Sequence, residues 1–194
     1  MRNVNGRTRG FTLIELLVVI TIIGLLMAII VPSIRGALEG AKKARAMSQI
    51  DALDGAIKRY FAEYGRMPVP AGGNGQPDKL FTGADQAQVV EILINAENLD
   101  DELNPREIVF LDVDPASFQV KTVQEMQSAL QGGTPYEDPW KDPDNLGKHA
   151  YGLMMDLNFD EKIDDVGYGE IRAKSAVYSG GPHGDTAAPP YKTW

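Results

Sequence analysis

No cysteine occurs anywhere in the 194 residues. A disulfide framework, a zinc ribbon and a thiol nucleophile are therefore excluded. Histidine is nearly as scarce: His149 and His183 are the only two, which leaves little for imidazole catalysis. The chain also lacks a Gly-x-Ser-x-Gly, a His-Glu-x-x-His and a P-loop, so the common hydrolase, metalloprotease and nucleotide-binding signatures are missing. Adjacent acids such as Asp164 and Asp165 are available for hydrolysis, but paired surface acids more often serve solvation. With 19 basic and 27 acidic residues the net charge is −8, which argues against nucleic acid as a partner. A content of 43% hydrophobic and 24% charged residues excludes wholesale disorder and a polytopic membrane protein. The length suits one ordinary domain plus one extra element.

Charge is absent from one stretch altogether. Residues 16–34 carry none, and residues 11–34 carry only Glu15. As a helix the uncharged run is about 28 Å long, close to the roughly 30 Å of bilayer hydrocarbon. A buried core helix of this size would normally show a polar stripe, and this one shows only Thr21. A cleaved secretory signal would have a shorter apolar core followed at once by a small-residue cleavage site. The Ala44-Arg45-Ala46 sequence lies beyond Arg35, Lys42 and Lys43, too far away to serve. The segment is therefore expected to be a retained membrane helix. Basic residues flank it on both sides, so the positive-inside count leaves its orientation open. Glu15 is either a headgroup-zone residue of little consequence or one kept for a partner, because a carboxylate deep in a bilayer costs about 2.5–3.5 kcal/mol.

The string Arg9-Gly10-Phe11-Thr12-Leu13-Ile14-Glu15-Leu16-Leu17-Val18-Val19-Ile20 resembles the prepilin cleavage and methylation motif of type IV pilins and type II secretion pseudopilins. A basic leader ends in Gly, then come Phe, a Glu five residues into the mature chain, and an unbroken apolar helix running to Pro32. The resemblance implies that a membrane prepilin peptidase cuts between Gly10 and Phe11 and methylates the new amino group of Phe11. It also implies a leader in the cytoplasm. Cleavage would leave an α-amine, largely cationic near neutral pH, as the only cation near Glu15. Phe11 and Glu15 share a helix face but pair poorly within one chain. In a staggered filament the amine of one subunit would meet the Glu15 of the next.

Beyond the apolar run, Ile34, Leu38, Ala41, Ala44, Met47, Ile50, Leu53, Ile57, Phe61 and Tyr64 recur every three or four residues, with charged residues between them. That pattern predicts an amphipathic continuation of the same helix. Pro32 is expected to bend it. Gly36 and Gly40 offer a small-residue face that is more readily explained by packing under a head than by helix dimerisation. Gly65 and Pro68 end the helix, and residues 71–78 form a loop. A second helix is expected over 83–98 and a strand over 106–113. Further strands over 149–156 and 170–179 would flank a long acidic loop. Tyr64-Gly65-Arg66-Met67-Pro68 and Asp138-Pro139-Trp140 again resemble segments of the major pseudopilins, though residues 71–135 are longer than in compact members.

The expected fold is thus α+β: a pilin-like long N-terminal α-helix packed on a small antiparallel β-sheet head. Its expected parts are a leader (1–10), a transmembrane or filament-core helix (11–34), an amphipathic helix (35–64) and a periplasmic head (65–194).

The acidic loop holds a candidate calcium site. Asp156, Asn158, Asp160 and Asp164 supply oxygen at positions 1, 3, 5 and 9, and Lys162 would offer its backbone carbonyl at position 7. A hard cation of this size takes about 6–8 oxygens. Glu161 stands where such loops have Gly, and Gly167 where they have a bidentate Glu. The alternative is a solvated acidic hairpin loop. The resemblance implies a calcium site at a C-terminal Ser-x-Gly-x-Asp-Gly segment. Here that segment reads Ser179-Gly180-Gly181-Pro182-His183-Gly184, so His183 replaces the acid and Asp185 is the nearest substitute.

The resemblance implies a structural subunit, not an enzyme, of a type II secretion pseudopilus in the inner membrane, with its head in the periplasm. Its partners would be other copies of itself, minor pseudopilins, the prepilin peptidase and the inner-membrane assembly platform. A type IV pilin is the alternative within the family. A membrane-anchored, calcium-dependent binding module is the alternative outside it.

Overall fold

The computed structural model describes residues 11–97, 99–141, 144, 147–164 and 166–194, with position 32 described by its backbone alone. The expected leader lies outside them. Helix α1 (Leu13–Tyr64) is followed by β1 (Lys79–Phe81), α2 (Gly83–Ile94), α3 (Val123–Gln131), β2 (Gly152–Met155), β3 (Ser175–Ser179) and β4 (Tyr191–Lys192). Short 3-10 turns occupy Pro115–Phe118 and Gly181–His183. The chain divides into two compact units, Met1–Ala41 and Lys42–Trp194.

Among its described residues the first unit is helical from Leu13 onward. Every large apolar side chain described between Phe11 and Ile34 is exposed, from Leu13 at 88% to Val31 at 44%. Thr21 satisfies its hydroxyl inside the helix by donating to the Leu17 carbonyl at 2.7 Å, which is how a lone hydroxyl is tolerated in an apolar environment. The helical backbone runs through Pro32, Gly36 and Gly40 without a break in its assignment.

The second unit has a core. From α1 it takes Ala46, Ile50, Leu53, Ala56, Ile57 and Tyr60, all nearly or fully buried. The buried face differs from the expected stripe, because Met47 is 49% exposed and Leu38 58%, while the unanticipated Ala46, Ala56 and Tyr60 are covered. Of these, Ile50, Leu53, Ala56, Ile57 and Tyr60 share one core cluster with Val89, Val90 and Leu93 of α2 and with Leu153, Met155 and Val177 of the sheet. The sheet is wholly antiparallel, in the order β1-β2-β3-β4. Alternate residues face opposite ways in a strand, so Met154, Ala176 and Tyr178 point to the other face. There they form a second cluster with Ile163 and Ile171. The 157–174 connection thus folds back over the outer face of its own hairpin. Gly152 lies opposite Tyr178, and a Cβ on it would stand 2.1 Å from the tyrosine ring, so only glycine fits.

Four sequence expectations need correction. Helix α2 stops at Ile94, where Asn95 takes a left-handed conformation (φ 56°) and caps it. Residues 106–113 form no strand. The Asn104 side chain bonds both the N–H and the carbonyl of Ile108, and the N–H groups of Phe110 and Leu111 both donate to the Leu93 carbonyl. Those bonds take the place of a neighbouring strand. The two long strands contract to Gly152–Met155 and Ser175–Ser179. The long 71–135 stretch contains β1 and α3, neither of which was expected. Helix α3 is opened by a capping box between Thr122 and Glu125, a signal present in the sequence.

Candidate functional site

Two regions carry the residues singled out from the sequence. At the start of α1, Glu15 lies one turn after Phe11, which is 82% exposed. Glu15 is not without partners in its own chain. Its Oε2 accepts from the Thr12 N–H at 2.9 Å and from the Thr12 hydroxyl at 2.8 Å. The Glu15 N–H donates back to Thr12 Oγ1 at 3.2 Å. This is a capping box, which satisfies orphan N–H groups at the helix start. Thr12 was missed as a functional residue, although the Thr-x-x-Glu spacing announces it. Both side-chain bonds fall on Oε2, so Oε1 stands outside the capping pair. Gly10, and with it the expected cleavage bond, lies outside the described residues.

The second region is the acidic loop, held at both ends by Asp78. Its Oδ1 accepts from the Leu157 N–H and its Oδ2 from the Asp164 N–H, each at 2.9 Å. No sequence signal marks Asp78, because its partners lie some eighty residues away. Inside the loop, Asp156 is buried. It accepts from the N–H groups of Asp160 (3.2 Å) and Glu161 (2.9 Å). Asn158 accepts from the Asp160 N–H, and Asp160 from the Lys162 N–H. Burial pushes the Asp156 carboxyl above its ordinary range, against the backbone N–H groups that favour its ionised form. Phe159 and Glu161 adopt left-handed backbone (φ 62° and 70°). Glu161 thereby makes without glycine the turn for which glycine is usual at that position.

The donors are oxygens, as calcium prefers, and several of them also accept hydrogen bonds from the loop's own backbone. Both oxygens of Asp156 and both of Asp78 hold backbone N–H groups. The Lys162 ammonium donates to Asp164 Oδ2 at 2.6 Å. Among the described residues, no three His, Asp or Glu side chains are grouped to hold a metal. The C-terminal segment is likewise hydrogen-bonded within the chain. Ser179 donates to Asp138 Oδ2 at 2.5 Å, and the Gly181 N–H donates to Ser179 Oγ. Asp185 Oδ1 caps its own turn through the N–H groups of Ala187 and Ala188. Asp138 and His149 are both buried, with Nδ1 of His149 3.4 Å from Asp138 Oδ1. Burial pushes the Asp138 carboxyl up, opposed by the Ser179 hydrogen bond.

A long N-terminal helix with an apolar first half and a small antiparallel sheet make this a pilin-like α+β fold. The family described as the prokaryotic N-terminal methylation motif matches residues 5–31. The chain is similar to the type II secretion system core protein G of Dickeya chrysanthemi, at 42% identity over 69 residues, covering 36% of this chain and 45% of that one. It is similar to core protein G of Klebsiella pneumoniae at 40% identity over 67 residues, covering 34% and 48%. It is also similar to the type IV major pilin protein PilA of Myxococcus xanthus, at 44% over 62 residues, covering 32% and 28%. The chain therefore spans about half the length of the core protein G relatives. No solved structure matches. These similarities support a pilin-like pseudopilin, and α1 is long and apolar enough to cross a membrane, with a mean hydropathy of 3.0 in its most apolar window.

Proposed function

We propose that this chain is a structural, non-catalytic subunit of a type II secretion pseudopilus. It polymerises through the first half of α1 to help move folded proteins across the outer membrane. The observation that carries this reading is the apolar run 11–34, whose described large apolar side chains are all exposed, with none of the described residues of their own compact unit burying them. Apolar surface on that scale is stable only in lipid or against other helices of the same kind. Before assembly the helix anchors the chain in the inner membrane, with the head in the periplasm. The prepilin peptidase removes residues 1–10 at Gly10 and methylates Phe11. Copies of the chain then join minor pseudopilins on the inner-membrane assembly platform. In the filament the Phe11 amine of one subunit meets Glu15 of the next, through the oxygen that the Thr12 pair leaves over.

Glu15→Leu tests this reading. It should abolish filaments in cells expressing the secretion machinery while leaving the variant in the membrane fraction, with a mature N-terminus beginning at methylated Phe11 by mass spectrometry. Normal filaments from Glu15→Leu would overturn the pairing. A mature chain trimmed past residue 34 would overturn the subunit reading itself. A surface-exposed type IV fibre is the second reading, favoured by the similarity to the Myxococcus pilin. Immunogold labelling at the cell surface under native expression separates the two.

A further inference from the structure

The 157–174 connection covers the outer face of the sheet, and something must neutralise its acids for it to close. Asp156, Asp160, Glu161, Asp164 and Glu170 all fall within fifteen positions of the sequence. Like charges this close oppose a compact loop. The loop is nevertheless tied down. Ile163, fully buried beside Lys162, exchanges two backbone hydrogen bonds with Ile171 (2.8 and 2.9 Å) and packs into the second cluster with Met154 and Tyr178. At the point where these acids converge, the described residues place one cation. The Lys162 ammonium lies 2.6 Å from Asp164 Oδ2, 3.8 Å from Asp160 Oδ2 and 4.0 Å from Glu170 Oε2. The loop's other basic groups point elsewhere: among the described residues Arg172 pairs with Glu170 and is 88% exposed, and the Lys174 ammonium lies 4.0 Å from the centre of the Phe61 ring.

We propose that Lys162 is the built-in cation of this loop. Its ammonium, held among Asp164, Asp160 and Glu170, does what a divalent ion would do in a loop of this sequence, and the head closes without calcium. An isolated exposed ion pair contributes little. A single cation shared by three carboxylates is different, because its removal leaves all three facing one another.

The test uses the full chain in detergent micelles. Thermal unfolding of the head is followed by near-ultraviolet circular dichroism, in EDTA and in millimolar calcium. Three proteins are compared: the wild type, Lys162→Met, which keeps an unbranched apolar stem, and Arg172→Gln as a control for general surface charge. The wild type should melt at the same temperature in both buffers. Lys162→Met should melt about 2–4 °C lower in EDTA, and Arg172→Gln should match the wild type. The loss in EDTA supports the proposal whether or not calcium restores it. A wild type stabilised by calcium would overturn the proposal. So would Lys162→Met melting with the wild type in EDTA, or Arg172→Gln falling as far as Lys162→Met. None of these results bears on filament assembly, so the subunit reading stands or falls separately.

Discussion

Residues 16–30 and residues 46–60 belong to the same helix, yet they meet opposite surroundings. In the first stretch no side chain is buried; in the second Ala46, Ile50, Leu53, Ala56, Ile57 and Tyr60 are all at 2% exposure or less. The difference does not lie in how apolar the buried residues are, since the first stretch is the more apolar of the two. It lies in what stands between them. The lower stretch intersperses Gln49, Asp51, Asp54, Lys58 and Arg59, and some of these tie the helix into the head. Asp54 receives the Ser175 hydroxyl of β3 at 2.5 Å and the Lys58 ammonium at 2.6 Å. Gln49 bridges the hydroxyls of Tyr136 and Tyr151. The upper stretch has only Thr21, which bonds its own helix. One half of the helix is therefore committed to this chain's own core. The other half makes no such polar tie among the described residues.

The comparison breaks first if the head is not the seat of folding stability. Leu153 is fully buried on the core face of β2, between β1 and β3. Leu153→Ala should destabilise the head by about 2–5 kcal/mol, read from urea unfolding of the detergent-solubilised chain. A loss below 1 kcal/mol would mean that the core collapses readily around the missing side chain and is not close-packed there.

How much of this could be read in advance follows from the range of the signals. The apolar run, the long helix, the paired strands around the acidic loop and the prepilin-like start rest on local pattern, and the structure bears out the pilin-like α+β fold. The phase of the amphipathic stripe was only partly legible. Met47 and Ala44 fit the spacing as well as Ala46 does, and only the position of α2 and the sheet decides which is covered. The 106–113 segment has strand-like residues, but Asn104 and the end of α2 take its hydrogen bonds. Composition cannot show that competition. The Thr12–Glu15 and Thr122–Glu125 boxes were legible and overlooked. Asp78 was not legible at all, because its role depends on a contact across some eighty residues.

A smaller effect is expected from Asp138, the buried acid beside His149 and Ser179. Its folded-state pKa is raised above the ordinary 3.8 by burial. The folded state thus holds the proton more tightly than the unfolded state does. That contribution to stability is complete below the ordinary value and is lost as pH rises through the raised one. Asp138→Asn should flatten this part of the profile, so that its stability relative to the wild type increases as pH rises across that window in urea titrations. An unchanged difference at every pH would show that the Ser179 hydrogen bond fully offsets the burial.

The smallest effect is the one that sharpens the comparison most. Ile23 sits in the middle of the uncharged run and is 48% exposed. Ile23→Ala removes as much side chain as a typical core truncation, so a chain folded as one cooperative body would lose stability by a comparable amount. If the two halves of α1 answer to different surroundings, the urea midpoint of the head should not move, because Ile23 is covered by detergent in both the folded and unfolded head. The same variant should instead weaken self-association in the membrane, where neighbouring helices make up the missing contact. Comparing head unfolding with helix cross-linking for Ile23→Ala and Leu153→Ala gives a double dissociation. Leu153→Ala moves only the first and Ile23→Ala only the second. If both variants moved both readouts, the helix would be transmitting stability along its length and the two halves would be one cooperative unit.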